Sequence, residues 1–172
     1  EYLIIGQGIS GTFLSYYLQK EKKSFLVIDN NNNNSPSKIA AGIINPVTGR
    51  RIVKTWMIDE LLAHLVPAYN ELGNESGIRA IEQKNIIEFF ATPQMKLAFE
   101  ERMREDEKYL RLYKEEKYLQ QYFRFEPQPF SKVSLFGGDL EGAGAFGHGE
   151  INPCYLINLQ EIIPARSKIL KE

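Results

Sequence analysis

The feature that most constrains this chain is Gly6-Gln7-Gly8-Ile9-Ser10-Gly11, a G-x-G-x-x-G run between an apolar segment and an amphipathic one. Tyr2 to Ile5 before it is continuously apolar, the pattern of a buried strand in a parallel sheet. Ser10 to about Lys22 after it reads as a helix, with Phe13, Leu14, Tyr17 and Leu18 on one face. Phe25-Leu26-Val27-Ile28 is a second buried strand and ends on Asp29. Two such strands around one helix imply a parallel pair with a right-handed crossover. Gly6 permits a tight turn, Gly8 lets a pyrophosphate approach the backbone, and Gly11 lets the helix pack on the strand. The N–H groups of Gly8, Ile9 and Ser10 at the helix start offer partial positive charge to phosphate. Asp29 stands where an acid takes the ribose hydroxyls of an adenosine. The alternative is a glycine-rich turn that binds nothing, and strand, helix, second strand and acid together weigh against it. The half-motif serves NAD and FAD alike.

Beyond Asp29, Asn30 to Ser37 contains five successive asparagines and Pro36. Asparagine favours turns and offers no apolar side to bury, so a mobile loop with water-satisfied backbone groups is expected there. Ile39 to Gly42 reads as a short helix or turn. A helix from about Thr55 or Asp59 to Leu72 carries the stripe Ile58, Leu61, Leu62, Leu65, Val66, Tyr69 and Leu72, with Pro67 inside and Gly73 as its stop. Ile78–Ile81 and Ile86–Phe90, around Glu82-Gln83-Lys84-Asn85, suggest a β-hairpin. Thr92-Pro93 reads as an N-cap and first helical position. The charged helix that follows places Met95, Phe99, Met103 and Leu110 on one stripe. Phe130 to Gly149 is strand-like and glycine-rich, and Asn152-Pro153 is expected to cap a last helix with Tyr155, Leu156, Leu159, Ile162 and Ile163 inward.

The composition narrows the function classes. The chain has 172 residues, 43% hydrophobic, with a net charge of −1. That is core enough for a globular domain, and too balanced to give an electrostatic footprint for nucleic acid or an anionic membrane. No apolar run approaches the roughly 20 residues of a membrane helix. The one cysteine, Cys154, excludes an internal disulfide framework and fits a cytoplasmic setting; it reads as a small helix residue. The chain opens on its first strand without Met or signal peptide, which suggests a trimmed start. No His/Cys/Asp/Glu cluster has metal-ligand spacing. His64 reads as structural, His148 as a turn histidine, and Trp56 and the tyrosines as core residues.

Ser37-Lys38-Ile39-Ala40-Ala41-Gly42-Ile43-Ile44-Asn45-Pro46 is similar to the flavin-proximal segment of the D-amino-acid oxidase-like FAD-dependent oxidoreductases. Small residues suit backbone that must lie against a flat ring. The resemblance extends to Ala91-Thr92-Pro93 opening a charged helix, and to Gly147 through Pro153. It implies an α/β fold: a Rossmann-type FAD-binding domain with a parallel sheet, over 1–72, and part of an α+β substrate domain over 73–149. Residues 150–172 would then return to the FAD-binding domain. It implies FAD as cofactor, with Gly6, Gly8, Ile9, Ser10, Gly11, Asp29, Asn30, Ser37, Ala40, Ala41, Gly42 and Asn45 around it. It also implies oxidation of the C–N bond of a small amine or amino acid by hydride transfer to flavin. Arg50, Arg51 and Lys54 follow the segment, and Arg51-Ile52-Val53-Lys54 is similar to the family's basic R-x-x-R, whose second cation meets the substrate carboxylate. Arg51 and Lys54 are the candidates here, against the alternative of surface cations before a helix. Family members are longer, so the chain is expected to be an N-terminal portion. Asn45 to Gly49 is a longer insert than the amine oxidases show. A nucleotide-binding module without catalysis, using NAD or FAD, and an FAD-dependent tRNA-modifying enzyme are the competing readings.

Overall fold

The computed structural model describes residues 1–49, 51–112 and 146–170. Strands β1 (Tyr2–Ile5) and β2 (Phe25–Ile28) pair in parallel, with Tyr2 opposite Phe25 and Ile5 opposite Ile28. Helix α1 (Ile9–Lys20) packs against both strands, its buried Gly11, Thr12, Ser15 and Tyr16 along one side. This is the parallel strand–helix–strand opening expected from the sequence, but the buried side of α1 is not the expected stripe, since Leu14 and Tyr17 are 50% and 45% exposed. A Cβ on Gly11 would lie 2.1 Å from the Gly6 carbonyl oxygen, so only glycine lets α1 sit this close to the turn.

Residues Glu1–Ile44, Met57–Gln83 and Tyr155–Glu172 form one compact unit, and Asn45–Trp56 with Lys84–Cys154 form a second. In the first, the core gathers Tyr16, Leu72, Ala80, Ile81, Ile157, Leu159, Ile162 and Ile163. Helix α3 (Ile58–Ser76) and helix α5 (Leu159–Ile169) both belong here, on either side in sequence of helix α4 (Pro93–Glu105) of the second unit. In the second unit Phe90 packs on Phe99 with ring centroids 5.2 Å apart, and a Cβ on Gly149 would lie 2.4 Å from the Phe99 ring.

A further sheet has the order β3 (Ile43–Ile44), β8 (His148–Ile157), β6 (Ile81–Phe89), with β7 (Leu110–Leu112) also on β8. Ile43 and Ile44 pair antiparallel with Leu156 and Tyr155, while Leu110 to Leu112 pair antiparallel with Ile151 to Gly149. Strands β4 (Val47–Thr48) and β5 (Val53–Lys54) form a small antiparallel pair. Helix α2 (Pro36–Ile39) is one turn.

The turn or helix expected over Ile39–Gly42 lies earlier, because Pro36 starts α2 and Gly42 adopts a left-handed φ of +71°. Helix α3 runs through Gly73, whose missing side chain makes room for Ile78 O and the Ala80 Cβ, and stops at Gly77 with φ +66°. The expected hairpin is the single strand β6: Glu82 to Asn85 contains no glycine or proline, and Asn85 Nδ2 donates to Glu150 of β8. Thr92 caps α4 as read, its Oγ1 accepting the Met95 N–H at 3.2 Å, but α4 ends at Glu105 and Leu110 belongs to β7. Asp106 turns extended there, and its carboxylate accepts the Lys108 N–H.

The largest correction concerns Asn152-Pro153, which is a cis peptide inside β8 and no helix start. Tyr155, Leu156 and Cys154 are strand residues, and α5 begins only after Asn158. Trp56 is 80% exposed, so it is no core residue. Phe130 to residue 145 and Arg50 lie outside the described residues.

Candidate functional site

The glycine turn is built by backbone geometry and two side chains. Gly6 has φ +92°, and its N–H donates to Ile28 O at 2.7 Å, which ties the turn to the end of β2. One residue on, the Gln7 N–H donates to Asp29 Oδ2 at 2.7 Å, while Asp29 Oδ1 accepts the Asn31 N–H, also at 2.7 Å. Asp29 thus joins the turn after β1 to the loop after β2. These two N–H groups, that of Gln7 first, hold the Asp29 carboxyl below its ordinary range, so it is ionised at neutral pH. Each carboxylate oxygen keeps a second lone pair for a further donor such as a ribose hydroxyl.

The Ile9 N–H, at the start of α1, donates to Ser37 Oγ at 3.1 Å. A Cβ on Gly8 would lie 2.7 Å from the same Oγ, so glycine here lets the Ser37 hydroxyl reach the helix N-terminus. The first turn of α1 carries no acidic side chain, and its N–H groups lack intrahelical acceptors. This is a donor-rich concavity lined by Leu3, Ile5, Gly6, Gly8, Ser10 and Ser37. An anion placed there meets positive helix dipole and backbone donors.

The asparagine run bonds to itself: Asn30 Oδ1 accepts the Asn32 N–H at 3.1 Å and Asn32 Oδ1 accepts the Asn34 N–H at 2.9 Å. Side chains, and not water alone, thus serve this backbone, which corrects the expectation from composition. Ala40 and Ala41 line an open depression of about 350 Å³ together with Leu156, Asn158 and Gln160. Gly42 lies against β8: its carbonyl accepts the Ile157 N–H at 2.8 Å, and a Cβ on it would lie 2.2 Å from Ile157 O. In the first unit the structure therefore assembles Gly6, Gly8, Ile9, Gly11, Asp29 and Ser37 around one turn.

Asn45, Arg51 and Lys54 belong to the second unit. Asn45 Oδ1 accepts the Val47 N–H at 3.1 Å, a turn role. Arg51 is exposed, its carbonyl accepting from Arg102 Nε at 3.5 Å. Lys54 is already matched: its Nζ lies 2.9 Å from Asp106 Oδ2 and 5.5 Å from the Tyr109 ring centre. His148 is 7% exposed on β8 and not on a turn, its ring 6.1 Å from that of Phe89. His64 is exposed on α3. Burial pushes the Cys154 thiol up to about 11, which leaves it protonated and unreactive at neutral pH. No group of three or more potential ligands among the described residues could hold a metal ion, and no described helix is long and apolar enough to cross a membrane.

Sequence reading missed three side chains of α5, two of which reach this site and one of which holds α1. Ser167 Oγ donates to Gln7 Oε1 at 2.8 Å, Gln160 Nε2 donates to the Lys38 carbonyl, and Arg166 Nε donates to Ser15 Oγ at 3.2 Å. No local pattern announces such pairs, since their partners lie more than 120 residues apart.

The sequence matches no protein-family model, and it matches no curated protein. Solved structures do match. L-amino acid deaminase from Proteus myxofaciens, in complex with anthranilate, superposes with a TM-score of 0.65 at 13% identity, over 99% of this chain and 36% of that one. Glycine oxidase from Bacillus cereus gives 0.63 at 16%, over 98% and 42%. L-proline dehydrogenase from P. horikoshii gives 0.64 at 16%, over 99% and 41%. The chain shares the fold of the matched part of each of these proteins. The chain spans 36% to 42% of the length of these three.

Proposed function

We propose that this chain is the FAD-binding portion of an FAD-dependent oxidoreductase that oxidises the C–N bond of a small amine or amino acid. The observation that carries this reading is the turn itself. Asp29 anchors it through the Gln7 N–H, it opens onto the N-terminus of α1, and Ser37 reaches in from the flavin-proximal segment. In that reading the α1 N-terminus holds the pyrophosphate, Asp29 takes the adenosine ribose beside Asn30, and Ala40 to Gly42 pass close to the ring. Bound FAD would supply the two-electron acceptor. A neutral amine gives up a hydride from its α-carbon without a dedicated base, so no general base is assigned to the chain.

The residues Asn45–Trp56 and Lys84–Cys154 would contribute to the substrate side. With Lys54 held by Asp106, the exposed Arg51 is the better candidate for a substrate carboxylate, by a charge-assisted and bidentate contact. Names of the matched structures agree with amino-acid chemistry: a deaminase, a glycine oxidase and a proline dehydrogenase. Cytoplasmic placement is proposed from the single free and buried cysteine.

The test is an absorption spectrum of the purified full-length protein, followed by anaerobic mixing with a panel of amino acids and N-methyl amines. A bound flavin spectrum that bleaches with an amino acid supports the proposal. Bound NAD, or flavin that no amine reduces, would instead leave a nucleotide-binding module.

A further inference from the structure

We propose that α5 positions the candidate cofactor site, with Ser167 and Gln160 as positioning residues that hold the phosphate turn and the Ser37 segment in binding geometry. The role in cofactor binding rests on the FAD reading above; the bracing of the turn does not. Gln7 is held twice. Its backbone N–H goes to Asp29 and its side-chain oxygen accepts from Ser167 Oγ at 2.8 Å. Gln160 Nε2 donates to the carbonyl of Lys38, one residue beyond Ser37, and Ser37 Oγ in turn accepts the Ile9 N–H. One helix therefore reaches the glycine turn directly and the segment that touches it.

That helix is itself immobilised. Ile162 and Ile163 are 0% and 2% exposed in the core, and Arg166 is 0% exposed. Arg166 Nε donates to Ser15 Oγ, and its guanidinium lies 5.8 Å from the Tyr16 ring centre, so α5 is pinned along α1. Ser167, next in sequence, inherits a fixed position from these contacts. A turn that already holds its bound shape in the free protein need not be ordered by its ligand, and the affinity that ordering would cost is retained.

The experiment compares the full-length wild type with Ser167→Ala, Ser167→Thr and Gln160→Ala. The first readout needs no cofactor: amide hydrogen exchange in the apoprotein. In Ser167→Ala the hydrogen-bonded amides of the turn, those of Gln7 and Ile9, should exchange about five- to tenfold faster, the worth of one hydrogen bond of about 1 kcal/mol. Amides of β2 and of α5 around Ile162 should stay unchanged, and threonine, which keeps the hydroxyl, should restore the turn. The second readout is FAD affinity, which should fall by a similar factor in Ser167→Ala and Gln160→Ala. Unchanged exchange at the turn, or an equal rise throughout β1, β2 and α5, overturns the bracing role. Faster exchange at the turn with unaltered FAD affinity overturns the link to binding. A wild type that takes up no FAD overturns the functional reading while leaving the exchange result to decide the brace.

Discussion

At the scale of the residue, Asp29 does two jobs that one substitution can separate. As an organiser it accepts the N–H groups of Gln7 and Asn31, each at 2.7 Å, and as a proposed ligand it meets the ribose. Asp29→Asn keeps the shape but loses the charge and presents an amide N–H to one of two backbone donors. We expect it to lower stability by about 1–2 kcal/mol, toward the low end for bonds to a charged group because Asp29 is partly exposed. The pH dependence gives the sign. The folded carboxyl lies below its ordinary value of 3.8, so its contribution is complete above that pH and disappears as pH falls through the lower, folded value. Denaturation curves of wild type and Asp29→Asn should therefore differ at pH 7 and converge once the pH has fallen below the depressed, folded value. A difference that persists at low pH would show that Asp29 acts otherwise than through its charge. The glycines make a second contrast. Gly11→Ala drives a Cβ to 2.1 Å from a backbone oxygen that cannot yield, and should cost about 3 kcal/mol or more by thermal denaturation. Gly8→Ala meets only the Ser37 hydroxyl, which can rotate away, so that variant should keep its melting temperature within a few degrees and lose FAD affinity instead. Equal destabilisation by both would mean that the turn has no give at Ser37.

At the scale of the element, Thr92 offers the cleanest check. Its hydroxyl caps α4 through the Met95 N–H, so Thr92→Ala should cost about 0.5–2 kcal/mol in chemical denaturation. Asn85→Ala should cost about 1–3 kcal/mol, since Asn85 Nδ2 donates to a Glu150 carboxylate that is 1% exposed. A hairpin turn at Glu82 to Asn85 would put Asn85 in water and make that substitution nearly neutral. The elements that were legible in the sequence share one property, that their signals are local. The phosphate turn, α1, β1, β2 and the Thr92 cap each carry pattern and punctuation within a few residues. Misread elements had signals set by distant partners. Asn152-Pro153 has the local grammar of a helix start, yet its strand pairs with Ile43, Ile44 and Leu110 to Leu112, more than 35 residues away. Asn158 holds the N-cap position of α5 but makes no side-chain capping bond there, so no strong local signal competed with the proline. Likewise Glu82 to Asn85 looked like a turn only because its polar residues were counted without asking for glycine or proline.

At the scale of the whole molecule, sequence order shows which segments exist, while their assignment to two units depends on contacts that skip along the chain. Residues 45–56 and 84–154 fall in one unit, and nothing in their composition separates residue 44 from residue 45 or residue 154 from residue 155. Of the candidate site, the turn and Asp29 stood out because a motif fixes their spacing, and Ser37 because its segment resembles a known one. The Lys54–Asp106 pair and the α5 contacts were not, because a charged or amide side chain does not announce its partner. One consequence concerns the β1–β2 pair. Ile4 is buried on the α1 side, whereas Leu3, Ile5, Leu26 and Ile28, which alternate to the other face, are 57%, 82%, 59% and 53% exposed. Leu3 pairs with Leu26 and Ile5 with Ile28, so the four make one contiguous apolar patch, bounded by two strand edges that pair with no other strand among the described residues. Such a patch is unfavourable in water by about 25 cal/mol for each Å² left exposed, and open edges template further pairing. We therefore expect these 172 residues, produced on their own, to self-associate through this face. Sedimentation velocity should show a weight-average mass that rises with concentration above the 19.8 kDa of the monomer. The double substitution Ile5→Lys and Leu26→Lys places charge on the patch without touching the α1 side, and should return the chain to a monomer with its far-UV circular dichroism intact. A monomeric wild type at tens of micromolar, or a double variant that associates as strongly, would place the sticky surface elsewhere.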